Sequence, residues 1–156
     1  MKFAVGQSVA RVEDKRFLTG EGRFSDDVMP GEGLRVAFLR APYAHARLIS
    51  IDYSAAQSAK GVRLVASQRD LDADGVGEIC CQLQIENYDG SQMPMTTKPA
   101  MVRDINRYAG DIVAMVVANT QTEADDAIEL IDVSFEPLSA VTDVYAAMEE
   151  GAPQLY

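Results

Sequence analysis

The run from Ile112 to Ala118 constrains the fold of this chain most strongly, because it contains no polar side chain. Val and Ile dominate it, and a continuous apolar run of this kind is typical of a strand covered on both faces. We therefore expect a central strand. Thr120 and Glu123 follow as a T-x-x-E capping box, which predicts the start of a helix. Apolar residues then recur with helical spacing and give that helix one buried face: Ala124, Ala127, Ile128 and Ile131.

The rest of the chain mixes strand and helix patterns. Alternating apolar residues predict strands over 34–40 and 47–53, and a short helix over 54–60 is expected to be capped by Ser54 and ended by Gly61. The remaining expectations are strands over 62–66, near 79–85 and over 133–135, a resumed apolar pattern over 101–105, and a last helix over 141–150. Residues 72–98 are expected to be an irregular loop region. The fold class is therefore α+β, that is, mixed α/β.

Length and composition favour one domain. The chain has 156 residues, of which 47% are hydrophobic, and this is enough for one domain with its own core. We expect residues 1–156 to form it, with 1–30 as an N-terminal extended segment. No apolar run approaches the roughly 18 residues that span a bilayer, and the start lacks a secretion signal. The expectation is a soluble, cytoplasmic protein without a membrane partner.

Charge is distributed unevenly along the chain. The net charge is −10, and all 14 Lys and Arg lie within residues 1–107 together with 14 of the 24 Asp and Glu. The excess negative charge therefore lies after Arg107. A surface that binds nucleic acid needs clustered Lys or Arg, so nucleic acid is excluded as a partner of that part. The acidic third is either a docking face for a basic partner or, as charge runs usually are, a solvated helix face.

The cysteines and the histidine give no reaction centre. Cys80 and Cys81 are adjacent, a spacing that neither chelates a metal as C-x-x-C does nor links distant parts of the fold. Their apolar neighbours Ile79 and Leu83 favour buried, inert thiols. His45 is the only histidine and is assigned a structural role. A thiol enzyme built on Cys80 or Cys81 with His45 is the alternative reading, and two cysteines are too few for an iron–sulfur cluster.

Short glycine and aspartate motifs also have plain interpretations. The two Gly-Glu-Gly sequences, 20–22 and 31–33, lack the G-x-G-x-x-G pattern, and their glutamates would repel phosphate, so both are predicted to be turns. Asp26-Asp27 and the series Asp70, Asp72 and Asp74 lack the spacing of a calcium loop and are expected to be solvated loop carboxylates. No catalytic, cofactor-binding or metal-binding residue is therefore assigned.

Several segments resemble one known family. They include Val5-Gly6-Gln7-Ser8-Val9 with the glycine-rich stretch to Asp27, Arg40-Ala41-Pro42-Tyr43-Ala44-His45-Ala46-Arg47, Ile105-Asn106-Arg107-Tyr108-Ala109-Gly110-Asp111 and Phe135-Glu136-Pro137-Leu138. In order and spacing the chain resembles the N-terminal part of the large, molybdenum-binding subunit of the xanthine dehydrogenase, aldehyde oxidase and carbon monoxide dehydrogenase family. Residues 72–98 match that pattern poorly.

The resemblance implies an α/β hammerhead domain, a mixed sheet with packed helices. It implies a structural and assembly role in a molybdenum hydroxylase, which oxidises aldehydes, N-heterocycles or carbon monoxide with water as the oxygen source. Molybdopterin in the full subunit, and 2Fe-2S and FAD in the holoenzyme, are the implied cofactors. The partners are the remainder of the subunit and iron–sulfur and flavin subunits, with a homodimer possible. The chain, as a fragment or a separately encoded piece, is expected to be inactive alone; the alternative is a stand-alone binding or scaffold module.

Overall fold

The computed structural model describes residues 6, 8–28, 31 and 33–155, and the chain divides into two units, 1–33 and 34–156. The first unit contains helix α1 (Asp14–Leu18) and a 3-10 helix (Ser25–Val28). The rings of Phe17 and Phe24 stack with their centroids 5.4 Å apart. This small unit is therefore built around a turn between two short helical pieces.

The second unit carries the sheets. Its elements in chain order are β1 (Arg35–Arg40), β2 (Ala46–Asp52), α2 (Ser54–Gln57), β3 (Val62–Ser67), α3 (Gln68–Ala73), β4 (Ile79–Cys80), β5 (Thr97–Lys98), β6 (Ile105–Asn106), β7 (Ile112–Ala118), α4 (Gln121–Ile128), β8 (Asp132–Pro137) and a 3-10 helix (Ala146–Met148). Helices and antiparallel sheets are thus combined in one chain, and the predicted α+β fold class is confirmed.

Strand β7 lies in the middle of the first sheet, whose order is β1-β7-β3. The prediction of a central strand over 112–118 is therefore confirmed. Both neighbours pair with it antiparallel, so that Ala37 and Val65 each lie opposite Val116. Helix α4 covers one face of this sheet, which we call the inner face. The core between them consists of small apolar side chains: Ala37, Val65, Ala114, Val116, Ala118, Ala124 and Ala127.

The opposite, outer face of the first sheet is also apolar but is not covered in the same way. Side chains alternate between the faces of a strand, so the neighbours of the inner residues point outward. On the outer face Val36 pairs with Val117, Phe38 pairs with Met115, and Leu64 also lies opposite Val117. Val36, Phe38 and Leu64 are 43%, 43% and 49% exposed. On β7 itself, Val113 on this face is buried and Met115 and Val117 are half-buried, so the strand is covered on its inner side and only partly covered on its outer side.

The second sheet has the order β6-β2-β8, and a two-residue pair of strands, β4 and β5, forms a third. A second cluster of fully buried residues consists of Ala41, Val102 and Val113. Leu48 and Ile51 of β2 and Val133 and Phe135 of β8 pack against it. Because Val113 belongs to β7, this cluster joins the two larger sheets. The segment predicted as strand, helix, strand therefore places its two strands in different sheets.

Four local predictions need correction. The helix expected over 54–60 ends at Gln57, and its N-cap is Tyr53 instead of Ser54. The free backbone N–H of Ser54 donates to the carboxylate of Asp52 at 2.9 Å. The strand near 79–85 has two residues. The pattern over 101–105 gives a strand only at Ile105–Asn106. The last helix, expected over 141–150, is one 3-10 turn at Ala146–Met148.

Candidate functional site

Arg103 organises a polar cluster of the second unit. Its Nε and Nη2 donate to the two carboxylate oxygens of Asp72 at 2.9 Å each, and its Nη1 donates to Oε1 of Glu78 at 2.6 Å. The two-pronged contact matches the planar guanidinium to the planar carboxylate. Asp72 lies on α3 and Glu78 just before β4, so Arg103 ties two neighbouring segments to the stretch that precedes β7.

The charged groups of this cluster stabilise one another in their ionised forms. Hydrogen bonds from Arg103 and then Gln68 lower the pKa of Asp72 to about 2. The pKa of Glu78 is also lowered, first by the hydroxyl of Thr97 and then by Arg103. Asp72 and Glu78 in turn raise the pKa of Arg103. These groups hold fixed charges near neutral pH, which suits a structural link and not a proton-transferring pair.

Gln68 extends this cluster into the interior. It is 2% exposed, its Nε2 donates to Asp72 Oδ1 at 2.8 Å, and its Oε1 accepts from the backbone N–H of Met101 at 2.8 Å. A buried amide that uses both ends in this way fixes the position of the chain around Met101. Sequence reasoning missed Gln68, because a single glutamine carries no motif.

A second polar group surrounds Lys98. Its ammonium lies 3.3 Å from Oδ1 of the buried Asp111, donates to the hydroxyl of Tyr108 and stands 4.3 Å from the centroid of the Tyr108 ring. Burial lowers the pKa of Lys98, but the bonds to Tyr108 and Asp111 outweigh this effect and raise it overall. Asp111 also accepts from the backbone N–H of Ile112 at 3.1 Å. The start of β7 is thereby anchored.

A cleft of about 320 Å³ lies beside these groups. Its wall includes Glu78, Thr97, Pro99, Arg103, Asp104 and Arg107. Arg103 is already bound by two carboxylates, so an anionic ligand would compete with internal partners. The cleft therefore provides a polar surface whose Arg103 is already paired.

His45 has the structural role that the sequence indicated. Its Nδ1 forms a hydrogen bond of 2.7 Å with the backbone carbonyl of Ser139. Among the described residues, no hydrogen bond joins His45 to either thiol. The arrangement gives no support to a thiol enzyme.

The prediction for the cysteines is wrong. Cys80 and Cys81 are both exposed, and the Sγ of Cys81 donates only to the backbone carbonyl of Leu83 at 3.5 Å. The reason is that β4 pairs for two residues with β5 and carries no packed layer, so its apolar neighbours Ile79 and Leu83 are exposed as well.

The aspartate series was also misplaced, because Asp70 and Asp72 lie on α3 and not in a loop, and Asp74 is its C-cap. Asp70 forms a capping box with Ser67 and accepts from the hydroxyl of Tyr53 at 2.9 and 3.0 Å. Burial raises the pKa of Asp70, but the bonds from Ser67 and Tyr53 together lower it. Asp70 therefore holds the helix start and Asp72 pairs with Arg103, and the described part of the chain groups no three such side chains around a cation.

The glycine turn at 20–22 is confirmed, since Gly20 has φ +75° and follows α1. In the second sequence, 31–33, Glu32 lies outside the described residues. The side chain of Asp26 does too, while Asp27 accepts from the backbone N–H of Phe24 at 2.8 Å.

No three His, Cys, Asp or Glu side chains of the described residues are grouped so that they could hold a metal ion. That no residue of this chain is catalytic or binds a cofactor or a metal stays a prediction. None of the helices in the described part is long and apolar enough to cross a membrane.

The fold and its sequence have clear relatives. Residues 19–139 match the family model described as aldehyde oxidase and xanthine dehydrogenase, a/b hammerhead domain. The chain belongs to this family, as the sequence motifs indicated.

The chain is 33% identical over 147 residues to the nicotine 6-hydroxylase large subunit of Paenarthrobacter nicotinovorans, covering 94% of the chain and 17% of that protein. It is 36% identical over 154 residues to the carbon monoxide dehydrogenase large chain of Afipia carboxidovorans, covering 93% and 17%. The solved structure of quinoline 2-oxidoreductase from Pseudomonas putida 86 is 42% identical with a TM-score of 0.77, covering 96% of this chain and 18% of that one. The chain thus spans less than a fifth of the length of these relatives.

Proposed function

We propose that this chain is the hammerhead domain of a molybdenum hydroxylase large subunit and that its role is structural and concerned with assembly. The observation that carries the proposal is the family match over residues 19–139. The internal pairing of Arg103 with Asp72 and Glu78 supports it, because these charges hold segments together. In this proposal residues 1–156 act as a single domain, with 1–30 as an N-terminal segment and 72–98 as a variable loop region.

The reaction proposed for the whole enzyme is the oxidation of an aldehyde, an N-heterocycle or carbon monoxide, with water as the oxygen source. The names of relatives, which include nicotine, quinoline and carbon monoxide, support this range of substrates. Molybdopterin is placed in the full subunit, and 2Fe-2S and FAD in the holoenzyme. A relative from Eubacterium barkeri, named as the large molybdopterin subunit of nicotinate dehydrogenase, supports the first of these.

The partners in this proposal are the remainder of the large subunit and iron–sulfur and flavin subunits in the cytoplasm, with no nucleic acid and no membrane. The relative named as subunit gamma of the 6-hydroxypseudooxynicotine dehydrogenase complex supports a multi-subunit assembly. Exposed apolar side chains favour weak self-association when the chain is alone, so a homodimer at high concentration belongs to the proposal, through a surface other than the outer face of the first sheet.

The test is an activity assay on the purified chain with aldehydes, purines and quinoline in the presence of an electron-accepting dye. We expect no turnover from the isolated 156 residues. The positive control is intact quinoline 2-oxidoreductase under the same conditions. Turnover by the isolated chain, retained after repeated purification, would overturn the structural role.

A further inference from the structure

The outer face of the first sheet is an apolar feature of the second unit that its own helices leave open. Its six members lie on β1, β7 and β3 or just before them: Leu34, Val36, Phe38, Leu64, Met115 and Val117. Four of them are exposed: Leu34, Val36, Phe38 and Leu64. The inner face of the same three strands is buried under α4. An apolar face on a central strand and both its neighbours is typical of a binding surface.

Two arginines border this face at opposite ends of β7. The guanidinium carbon of Arg40 lies 5.8 Å from the centroid of the Phe38 ring, and its Nη1 donates to the carbonyl of Gly110 at 2.8 Å. Arg63 Nε donates to Oδ1 of Asn119 at 2.8 Å. Both arginines are exposed, and neither forms an ion pair with a carboxylate of the described residues. The border of the face is thus positive, although the chain as a whole has a net charge of −10.

This charge pattern selects among occupants. A two-fold dimer through the outer face would set the same patch against itself, so that arginines of one copy approach arginines of the other. Like charges brought together at an interface disfavour that pairing. The complementary surface is apolar in the middle and carries carboxylates at the border.

We propose that the outer face binds such a surface on the remainder of the large subunit, an inference that rests on the proposed function. The relatives contain enough additional chain to provide such a surface, because the matched segment is 17% or 18% of each of their chains. The half-buried Met115 and Val117 of β7 would then be covered as Val113 already is.

The probe for this proposal is the quinoline 2-oxidoreductase chain from Pseudomonas putida 86 with its matched segment deleted. As a first control, the excised segment is supplied as a separate polypeptide, and a probe that binds it is called qualified. The full 156-residue chain is then added in place of the segment, and binding is measured by biolayer interferometry. If the two-piece probe does not bind its own segment, the same variants are made in a fused chimera and compared by footprinting alone.

We expect the chain to bind the probe, and Val36→Asp or Leu64→Asp to weaken binding about tenfold or more, since each places a charge in an apolar contact. Arg63→Glu is expected to weaken binding, and Arg63→Lys to retain most of it. The matched control is Ile49→Asp, which changes an apolar residue on β2 that is 56% exposed but lies in the second sheet. Circular dichroism confirms that each variant is folded.

Hydroxyl-radical footprinting separates the outcomes. Phe38, Leu64 and Met115 are expected to react in the isolated chain and to be protected in the complex or chimera. If the chain does not bind a qualified probe, the proposed function fails for this enzyme class and this inference fails with it. If the chain binds but the three residues stay reactive and the Asp variants bind equally well, only this inference fails. Protection of these residues in the isolated chain also overturns the inference. Protection at all concentrations would mean that another segment of the same chain covers the face. Protection only at high concentrations would mean that a second copy covers it.

Discussion

Gly61 lies directly against the carboxylate of Glu123: a Cβ atom built on the glycine would stand 2.1 Å from the Cδ of the glutamate. Gly61 also has φ +81°, and its carbonyl accepts the backbone N–H of Asn119 at 3.0 Å. The turn into β3 and the start of α4 are therefore packed against each other, and a side chain at this position would have to displace the carboxylate of Glu123.

Gly61→Ala is expected to lower the free energy of unfolding by more than the roughly 1–2 kcal/mol that a left-handed conformation costs an alanine. The excess comes from the contact with Glu123. Gly110→Ala is the matched control, because Gly110 has φ +89° but nothing within 4 Å of its added Cβ. Urea denaturation measures both. Equal losses at the two positions would show that the contact with Glu123 has no energetic effect.

Arg103→Gln is expected to remove part of the acid sensitivity of the domain. The folded-state pKa of Asp72 is about 2, below its ordinary 3.8. A lowered pKa contributes stability that is present above the ordinary value and is lost as pH falls through the folded value. The wild-type chain should therefore lose stability between about pH 4 and pH 2 more steeply than the variant, and be the more stable of the two at pH 6.

Urea denaturation across this pH range, with an NMR titration of the Asp72 carboxyl, checks the prediction. The control is Arg47→Gln, which removes an exposed ion pair of 3.5 Å to Glu136. An Asp72 pKa that is the same with and without Arg103 would contradict it.

Asn106→Asp is expected to destabilise the fold more than Asn106→Ala. Asn106 is fully buried, and its Nδ2 donates to the backbone carbonyls of Tyr43 and Tyr108 at 2.6 and 3.2 Å. The Ala variant leaves the carbonyl of Tyr43 without this donor, at a cost of about 1–3 kcal/mol, whereas the carbonyl of Tyr108 still accepts the backbone N–H of Asp111 at 3.2 Å. The Asp variant adds a buried negative charge facing them.

Because protonation removes that charge, the difference between the two variants should shrink as pH falls from 7 to 4. Thermal unfolding at both pH values measures it. A difference that does not change with pH would mean that the introduced carboxyl is solvated and that the local packing opens to water.

Both thiols are expected to react with a thiol-specific reagent in the native chain, since Cys80 and Cys81 are exposed. Two equivalents of label without denaturant are the expected result, and Cys80→Ser and Cys81→Ser should each give one. Labelling should leave the unfolding midpoint close to that of the unlabelled chain. Reaction only after addition of urea would mean that the thiols are buried in the native chain, as the sequence indicated.

The elements that the sequence predicted correctly are those whose signal is local and strong. The run over 112–118 is a strand with those limits, and the helix after Thr120 spans Gln121–Ile128 with Thr120 accepting the backbone N–H of Glu123. Periodicity and side-chain capping are properties of adjacent residues. They do not depend on how distant segments pack in the tertiary fold.

The failures share a different cause. The helix expected over 141–150 has helical composition, but none of the three residues of its one turn is buried. Residues Cys80 and Cys81 have apolar neighbours, but no layer of the described fold covers them. Arg103 lies 31 residues after Asp72 in the sequence, so no spacing rule could join it to Asp72 and Gln68. Tertiary packing decided each of these cases.

The two-sided apolar character of β7 makes the stability of this domain a property of the assembly as well as of the sequence. Ligands or partners that bind only the folded state add their binding free energy to its stability. A surface that covers the outer face would do this at the strand on which both neighbouring strands depend. The melting temperature of the purified chain is then a lower bound, and the gain on binding would measure how far folding and subunit assembly are one process.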